Sequence, residues 1–203
     1  MGRRIFDPEG LLWKPLGYLG DVLMLSLLWL LCSIPLVTAG PATAALYDCV
    51  VHCLRRKETD LLGRFFRTLR AELRPGILTT LLWAAILFAL FFLRGRLMAR
   101  LGYGGAGGVI GMASLILLLI PVGMASWVFP LLSRFQFSFT ALNRTAARLA
   151  LGHILRTLAL GLLSLLGVLA CLRFILPIFV LPALLALLWS YLIEPVFRPY
   201  MEK

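Results

Sequence analysis

Charge is what this chain of 203 residues has least of: 14% of it is Asp, Glu, Lys or Arg, against 61% hydrophobic. So few polar side chains cannot cover a soluble fold of this size, which argues against a water-soluble globular protein. Acidic residues are scarcer still, 9 against 20 basic, and there are two histidines. The sequence contains no HExxH, no phosphate-binding loop, no Ser/His/Asp arrangement and no paired catalytic carboxylates, so no catalytic residue and no enzyme activity is expected. Gly102-Tyr103-Gly104-Gly105-Ala106-Gly107 has the spacing of a dinucleotide loop. It follows an apolar helix instead of a strand, however, and no cofactor is expected from it. Cysteine is sparse as well, and Cys32, Cys49, Cys53 and Cys171 read as reduced, small apolar residues. Cys49, His52 and Cys53 share one helical face at i, i+3 and i+4, but no second cluster supplies further ligands, and no metal site is expected.

What the chain has instead is long apolar runs, over residues 77–93, 109–132 and 157–191, the last broken only by Arg173. A bilayer core about 30 Å thick takes roughly 20 helical residues, so each run reads as spanning and the last is long enough for two spans. The fold class expected is all-α, a polytopic membrane helical bundle forming a single integral membrane domain. Its helices are placed at about 16–36, 41–56, 76–94, 108–132, 153–172 and 174–194. The second is short and carries Asp48 and His52; it either spans by thinning the bilayer or snorkelling at its end, or is re-entrant. Pro121, Pro177 and Pro182 predict kinks or interruptions in the fourth and sixth helices.

The net charge of +11 resides in the connections. With six spans and both termini cytoplasmic, 16 basic residues lie inside and 4 outside; with the first two helices merged into one bent span, the division is 13 and 7. Basic residues favour the cytoplasmic side of short loops, so six spans of a multi-pass plasma-membrane protein fit better. The same charge attracts anionic lipid headgroups. No basic stripe is interleaved with stacking aromatics outside the apolar segments, and no nucleic-acid partner is expected.

Residues 33–46, Ser-Ile-Pro-Leu-Val-Thr-Ala-Gly-Pro-Ala-Thr-Ala-Ala-Leu, interrupt the first apolar run and restart it with small side chains. Pro35 disfavours helix at Ile34, Gly40 permits a positive φ, and Pro41 suits the first turn of a new helix, so a hairpin turn is expected between Val37 and Gly40. Beyond it, Ala42 to Ala45 allow close approach of a neighbour, and Thr43 can satisfy a backbone carbonyl. A broken-helix ligand site is the functional alternative, with the amides at the start of the new helix facing an anion or sugar hydroxyls; Pro35, Thr38, Gly40, Pro41 and Thr43 are the candidate functional or structural residues of the run. Signal cleavage after Ala44 is disfavoured, since it would place the basic cluster of the next connection outside. The run, preceded by Leu28-Trp29-Leu30-Leu31 and ending at Tyr47, resembles the signature of the YesL family of small bacterial integral membrane proteins, built on a domain of unknown function. Phe65-Phe66-Arg67 and Pro130-Leu131-Leu132-Ser133-Arg134-Phe135 sit where that family has similar residues. The resemblance implies a non-catalytic accessory protein associated with carbohydrate ABC transporter subunits or a sensor kinase, and assigns no role to Asp48, Cys49, His52 or Cys53. An autonomous small-solute transporter or channel, with a cavity between the first, second and sixth helices, is the alternative.

Two amphipathic stretches are expected at the membrane surface. Thr59 or Asp60 can cap a helix over about 60–74, with Leu61, Leu62, Phe65, Phe66, Leu69 and Leu73 on one face. Arg64, Arg67, Arg70 and Arg74 fall largely on the other, in the headgroup layer. Between 133 and 148, Phe135, Phe139, Leu142 and Ala146 follow helical spacing, with Phe137 off that stripe and facing lipid. Unpaired acids at membrane depth are costly, about 2.5 to 3.5 kcal/mol for Asp at mid-helix. Asp21 is therefore expected to pair with Arg55 or Arg56. Asp48 is expected to find Ser26, Tyr47, His52 or a group on another helix, and is the candidate for proton or substrate handling.

Overall fold

The computed structural model describes residues 13–55, 60–102, 104–135, 137–174 and 176–201. Arg56, Thr59 and the two ends of the chain lie outside them. Within them are eight α-helices: α1 (Trp13–Ser33), α2 (Ala39–Cys49), α3 (Leu61–Ala71), α4 (Leu73–Leu101), α5 (Ala106–Arg134), α6 (Phe139–Gly152), α7 (Ile154–Arg173) and α8 (Leu181–Met201). Among the described residues three, α4, α5 and α7, are long and apolar enough to cross a membrane. Shorter apolar stretches run over Gly17–Ser33 of α1 and Leu181–Phe197 of α8.

The α1–α2 hairpin forms, but its turn falls earlier than expected. Pro35 is extended (φ −75°, ψ 106°) and stops α1, and a 3-10 turn, Leu36–Thr38, leads straight into α2. Thr38 seals the corner, its hydroxyl donating to the carbonyls of Cys32 (2.5 Å) and Pro35 (2.7 Å). Gly40 is already helical and buried, and among the described residues the positive-φ glycines are Gly102 and Gly105, in the α4–α5 turn. Gly40 is required for space: a Cβ there would collide with the Thr80 hydroxyl and lie 2.7 Å from the Phe129 ring. Opposite it, a Cβ on Gly76 would lie 2.6 Å from Cγ of Pro41. Gly40 and Pro41 thus let α2 cross α4 at backbone distance, while Thr43 accepts from the Trp29 indole (3.0 Å) and donates to the Ala39 carbonyl (2.7 Å).

From Gly40 to Leu54 every residue but Thr43 is buried. The second helix is therefore the centre of the bundle, touched by α1, α3, α4, α5 and α8. It is not a regular helix to residue 56; after Cys49 the backbone widens into a π-helical turn, Val50–Arg55. Such turns are rare and concentrate at functional sites.

Around this centre, α5 packs along α7 with backbones in near contact. A Cβ on Gly123 would meet the carbonyl of Thr157, and one on Gly161 would lie 2.5 Å from that of Leu119. Small residues substitute here for the apolar bulk that drives packing in water. Trp127 donates its indole N–H to Thr157 (3.0 Å), and Ser126 meets Ser164 (3.0 Å). The last helix begins later than expected: Pro177 lies in a 3-10 turn, Leu176–Phe179, and Pro182 occupies the first turn of α8, where a missing N–H costs nothing. Phe137 turns inward onto Phe135 (5.6 Å between centroids) and packs against the core instead of facing lipid.

Candidate functional site

α2 and its π-helical turn bring Tyr47, Asp48 and His52 into the middle of the bundle at the end where α3, α5 and α8 meet. All three are buried, with Asp48 5% and His52 8% exposed. The partners of Asp48 come from α3. Arg64 Nε donates to its Oδ2 (2.8 Å), Arg64 Nη2 to its Oδ1 (3.4 Å), and the Thr68 hydroxyl to Oδ2 (3.0 Å). Arg64 therefore points into the protein, not to the headgroup face. Arg67, Arg70 and Arg74 are exposed, as the amphipathic pattern requires. Asp60 caps the helix through the Gly63 amide (3.1 Å), and Leu61 and Phe65 anchor it, whereas Leu62 and Phe66 remain exposed.

A second ion pair lies beside the first. Arg134, at the end of α5, donates from Nε (3.2 Å) and Nη2 (2.8 Å) to Oε1 of Glu194 on α8. Tyr47 donates to the same oxygen at 3.4 Å, and Glu194 is 7% exposed. His52 connects the two pairs. Its Nδ1 faces two acceptors, the Asp48 carboxylate and the Asp48 carbonyl, both at 3.1 Å, and its Nε2 lies 3.3 Å from Arg134 Nη1. Arginine can only donate, so this arrangement sets a neutral ring with the proton on Nδ1 and the Nε2 lone pair toward Arg134. Two carboxylates and two guanidiniums balance, with one neutral imidazole between them.

The remaining expected contacts sort differently. Asp21 is exposed, and Arg55 does not pair with it. Arg55 instead donates from Nη1 to the carbonyl (3.2 Å) and hydroxyl (3.4 Å) of Ser190 and lies over the Tyr191 ring. Ser26 does not reach Asp48; it donates to the Val180 carbonyl (3.4 Å) and accepts from the Ala183 amide (3.3 Å), tying α1 to α8. Cys49 donates its thiol to the Leu61 carbonyl (3.7 Å). Among the described residues no group of three or more His, Cys, Asp or Glu is placed to hold a metal ion. At the opening of α2 the Ala39 amide donates to the Leu36 carbonyl, Pro41 has no amide hydrogen, and Pro41 lies against Gly76 of α4.

Glu194 is not a candidate on sequence, and Arg134 enters there only as one of the basic residues of a connection and as part of the Pro130–Phe135 stretch. An acid inside an apolar helix does demand a cation, which is the signal that would have found the pair. A groove of about 300 Å³ does open between α1, α2, α7 and α8, walled by Trp29, Thr43, Gly167 and Trp189 among others. It is almost wholly apolar, and Asp48 does not line it.

No curated protein and no solved structure matches this chain. Residues 22–92 match the model of a family described as "Protein of unknown function, DUF624", a segment that holds the hairpin, Asp48, His52, Arg64 and Thr68 but neither Arg134 nor Glu194.

Proposed function

We propose that the chain is a non-catalytic, multi-pass plasma-membrane protein of the YesL type, an accessory to a carbohydrate ABC transporter or to the sensor kinase that controls one. Six crossings with both termini cytoplasmic accompany this reading: α1, α2 with its π-helical turn, α4, α5, α7 and α8. The charge distribution supports the orientation, since it puts the basic face of α3 and the arginines of α6 on the cytoplasmic side.

The observation that carries the proposal is the bonding of Asp48 to Arg64 and Thr68. It fastens a surface helix to the most buried helix of the bundle, so a partner docked on the exposed arginines of α3 is mechanically coupled to the core. The alternative, a self-sufficient solute carrier using Asp48, has less support, because that carboxylate is held by three side chains and stands apart from the groove between α1, α2, α7 and α8. The test is purification from native membranes in parallel with reconstitution into liposomes with a panel of sugars. The accessory role predicts co-purifying transporter or kinase subunits, lost on reversing the charge of Arg67 and Arg70, and no sugar flux. Flux from the purified protein that changes in Asp48→Asn would overturn it in favour of a carrier.

A further inference from the structure

A second feature lies along α8 before Glu194 and uses a cation that takes no part in the hydrogen bonds of the buried network. An open groove of about 720 Å³ runs between α1, the end of the π-helical turn and α8. At one end are Arg55, Tyr18 and Tyr191; Tyr18 is 40% and Tyr191 59% exposed. The rest of the wall is apolar, with Val22 and Leu54 on one side and Val180, Leu184 and Leu187 on the other. Val180, Leu184, Leu187 and Tyr191 follow i, i+4, i+7 and i+11, one continuous stripe about 16 Å long at the helical rise.

Arg55 is only partly used by the protein. Nη1 donates to Ser190, and the ring of Tyr191 lies 4.7 Å from Cζ. Among the described residues Nε and Nη2 have no protein acceptor. The guanidinium is thereby oriented, by one nitrogen and one ring face, with its remaining donors available at the mouth of the groove. Guanidinium donors match phosphate oxygens in charge and geometry. Tyrosines flanking an arginine where an apolar channel begins are the arrangement that suits a bilayer interface, apolar on one side and wet on the other.

We infer that this groove is a binding site for one anionic phospholipid, its phosphate on Arg55 between Tyr18 and Tyr191 and an acyl chain along the α8 stripe. The site differs from general attraction of headgroups to basic loops, because it combines one oriented cation with a channel for the chain. It does not depend on the accessory role or on the orientation of the protein.

The test uses the full chain, delipidated in detergent and mixed with phosphatidylglycerol, phosphatidylcholine or sodium phosphate, with adducts counted by native mass spectrometry. One phosphatidylglycerol is expected to be retained, about tenfold more tightly than phosphatidylcholine, the equivalent of one charge-assisted contact. Arg55→Gln should remove that preference. Leu184→Trp, a change at a 40% exposed position that fills the groove and leaves Arg55 in place, should remove the adduct altogether. Arg148→Gln, at an exposed arginine on α6, should change neither. Equal retention of phosphatidylcholine, whose own phosphate can meet Arg55, would show that the site does not select an anionic lipid, and displacement of the lipid by sodium phosphate would make it a free-anion site. Equal loss in Arg148→Gln would make the binding diffuse. Each of these overturns the inference, as does unaltered binding in Leu184→Trp, which stands even if Arg55→Gln fails to fold.

Discussion

α2 and α4 invert what hydropathy suggests about inside and outside. α4 is a 29-residue apolar helix, yet only Gly76, Thr79, Trp83 and Met98 along it are buried, and Phe88 is 73% exposed. α2 carries an acid, three small residues at 42, 44 and 45, and a following histidine, and is enclosed almost completely. In water the most apolar element would be at the centre. In a bilayer the surroundings are as apolar as leucine, so bulk faces outward, while small residues that let backbones meet and polar groups that need partners collect within.

The largest effects should come from breaking the enclosed region. Arg134→Met leaves Glu194 buried with its main partner gone, and should cost about 3 to 5 kcal/mol in a reversible unfolding assay in mild detergent. Pairing it with Glu194→Leu should recover most of that loss; a double variant as unstable as the single one would show that the ion pair is not where the cost arises. Arg64→Gln should cost about 1.5 to 3 kcal/mol through the charged hydrogen bonds to Asp48. It should also speed amide exchange in α3 selectively, with α4 unchanged. Gly40→Ala tests close packing rather than charge. Forcing a methyl against Thr80 and Phe129 should cost about 1 to 3 kcal/mol, whereas Gly95→Ala, where nothing lies within 4 Å, should be neutral or slightly stabilising.

The junction between the two regions offers a pH test. Glu72 separates α3 from α4, and burial holds its carboxyl above the usual carboxylate range. The folded state therefore keeps the proton longer than the unfolded state. The stability this group contributes is complete below its unfolded value and declines as pH rises through the raised folded one. Glu72→Gln should flatten that decline; an unchanged pH profile would mean that the carboxyl is solvated. The smallest effect is expected on the outer face: Leu93→Ala, at a 66% exposed position of α4, should stay within about 0.5 kcal/mol in the same assay.

Much of the helical framework could be read from local pattern. The first two apolar windows fall within α4 and α5, the third runs across α7, the Leu176–Phe179 turn and α8, Asp60 caps α3, and Pro35 ends α1. The errors share a cause. Gly40 permits a positive φ and so suggests a turn, but its use lies in what α4 places opposite it, a contact 36 residues away in sequence. Arg64 is expected in the headgroup layer because its helix has a basic face. The partner that draws it in, Asp48, sits 16 residues earlier on another element.

By itself, then, the sequence determined that the chain is helical, which segments are apolar enough for a bilayer, where the first hairpin interrupts them and which face of α3 is basic. These are properties of periods of a few residues and of side-chain transfer energies. The tertiary structure alone decided that the second helix is the centre of the bundle, that Asp48 pairs with Arg64 and not with Ser26, and that Arg134, 60 residues distant, meets Glu194. Burying a charge is costly enough that each must find a counter-charge, but which one it finds depends on how the helices pack, and helix packing is not a local property.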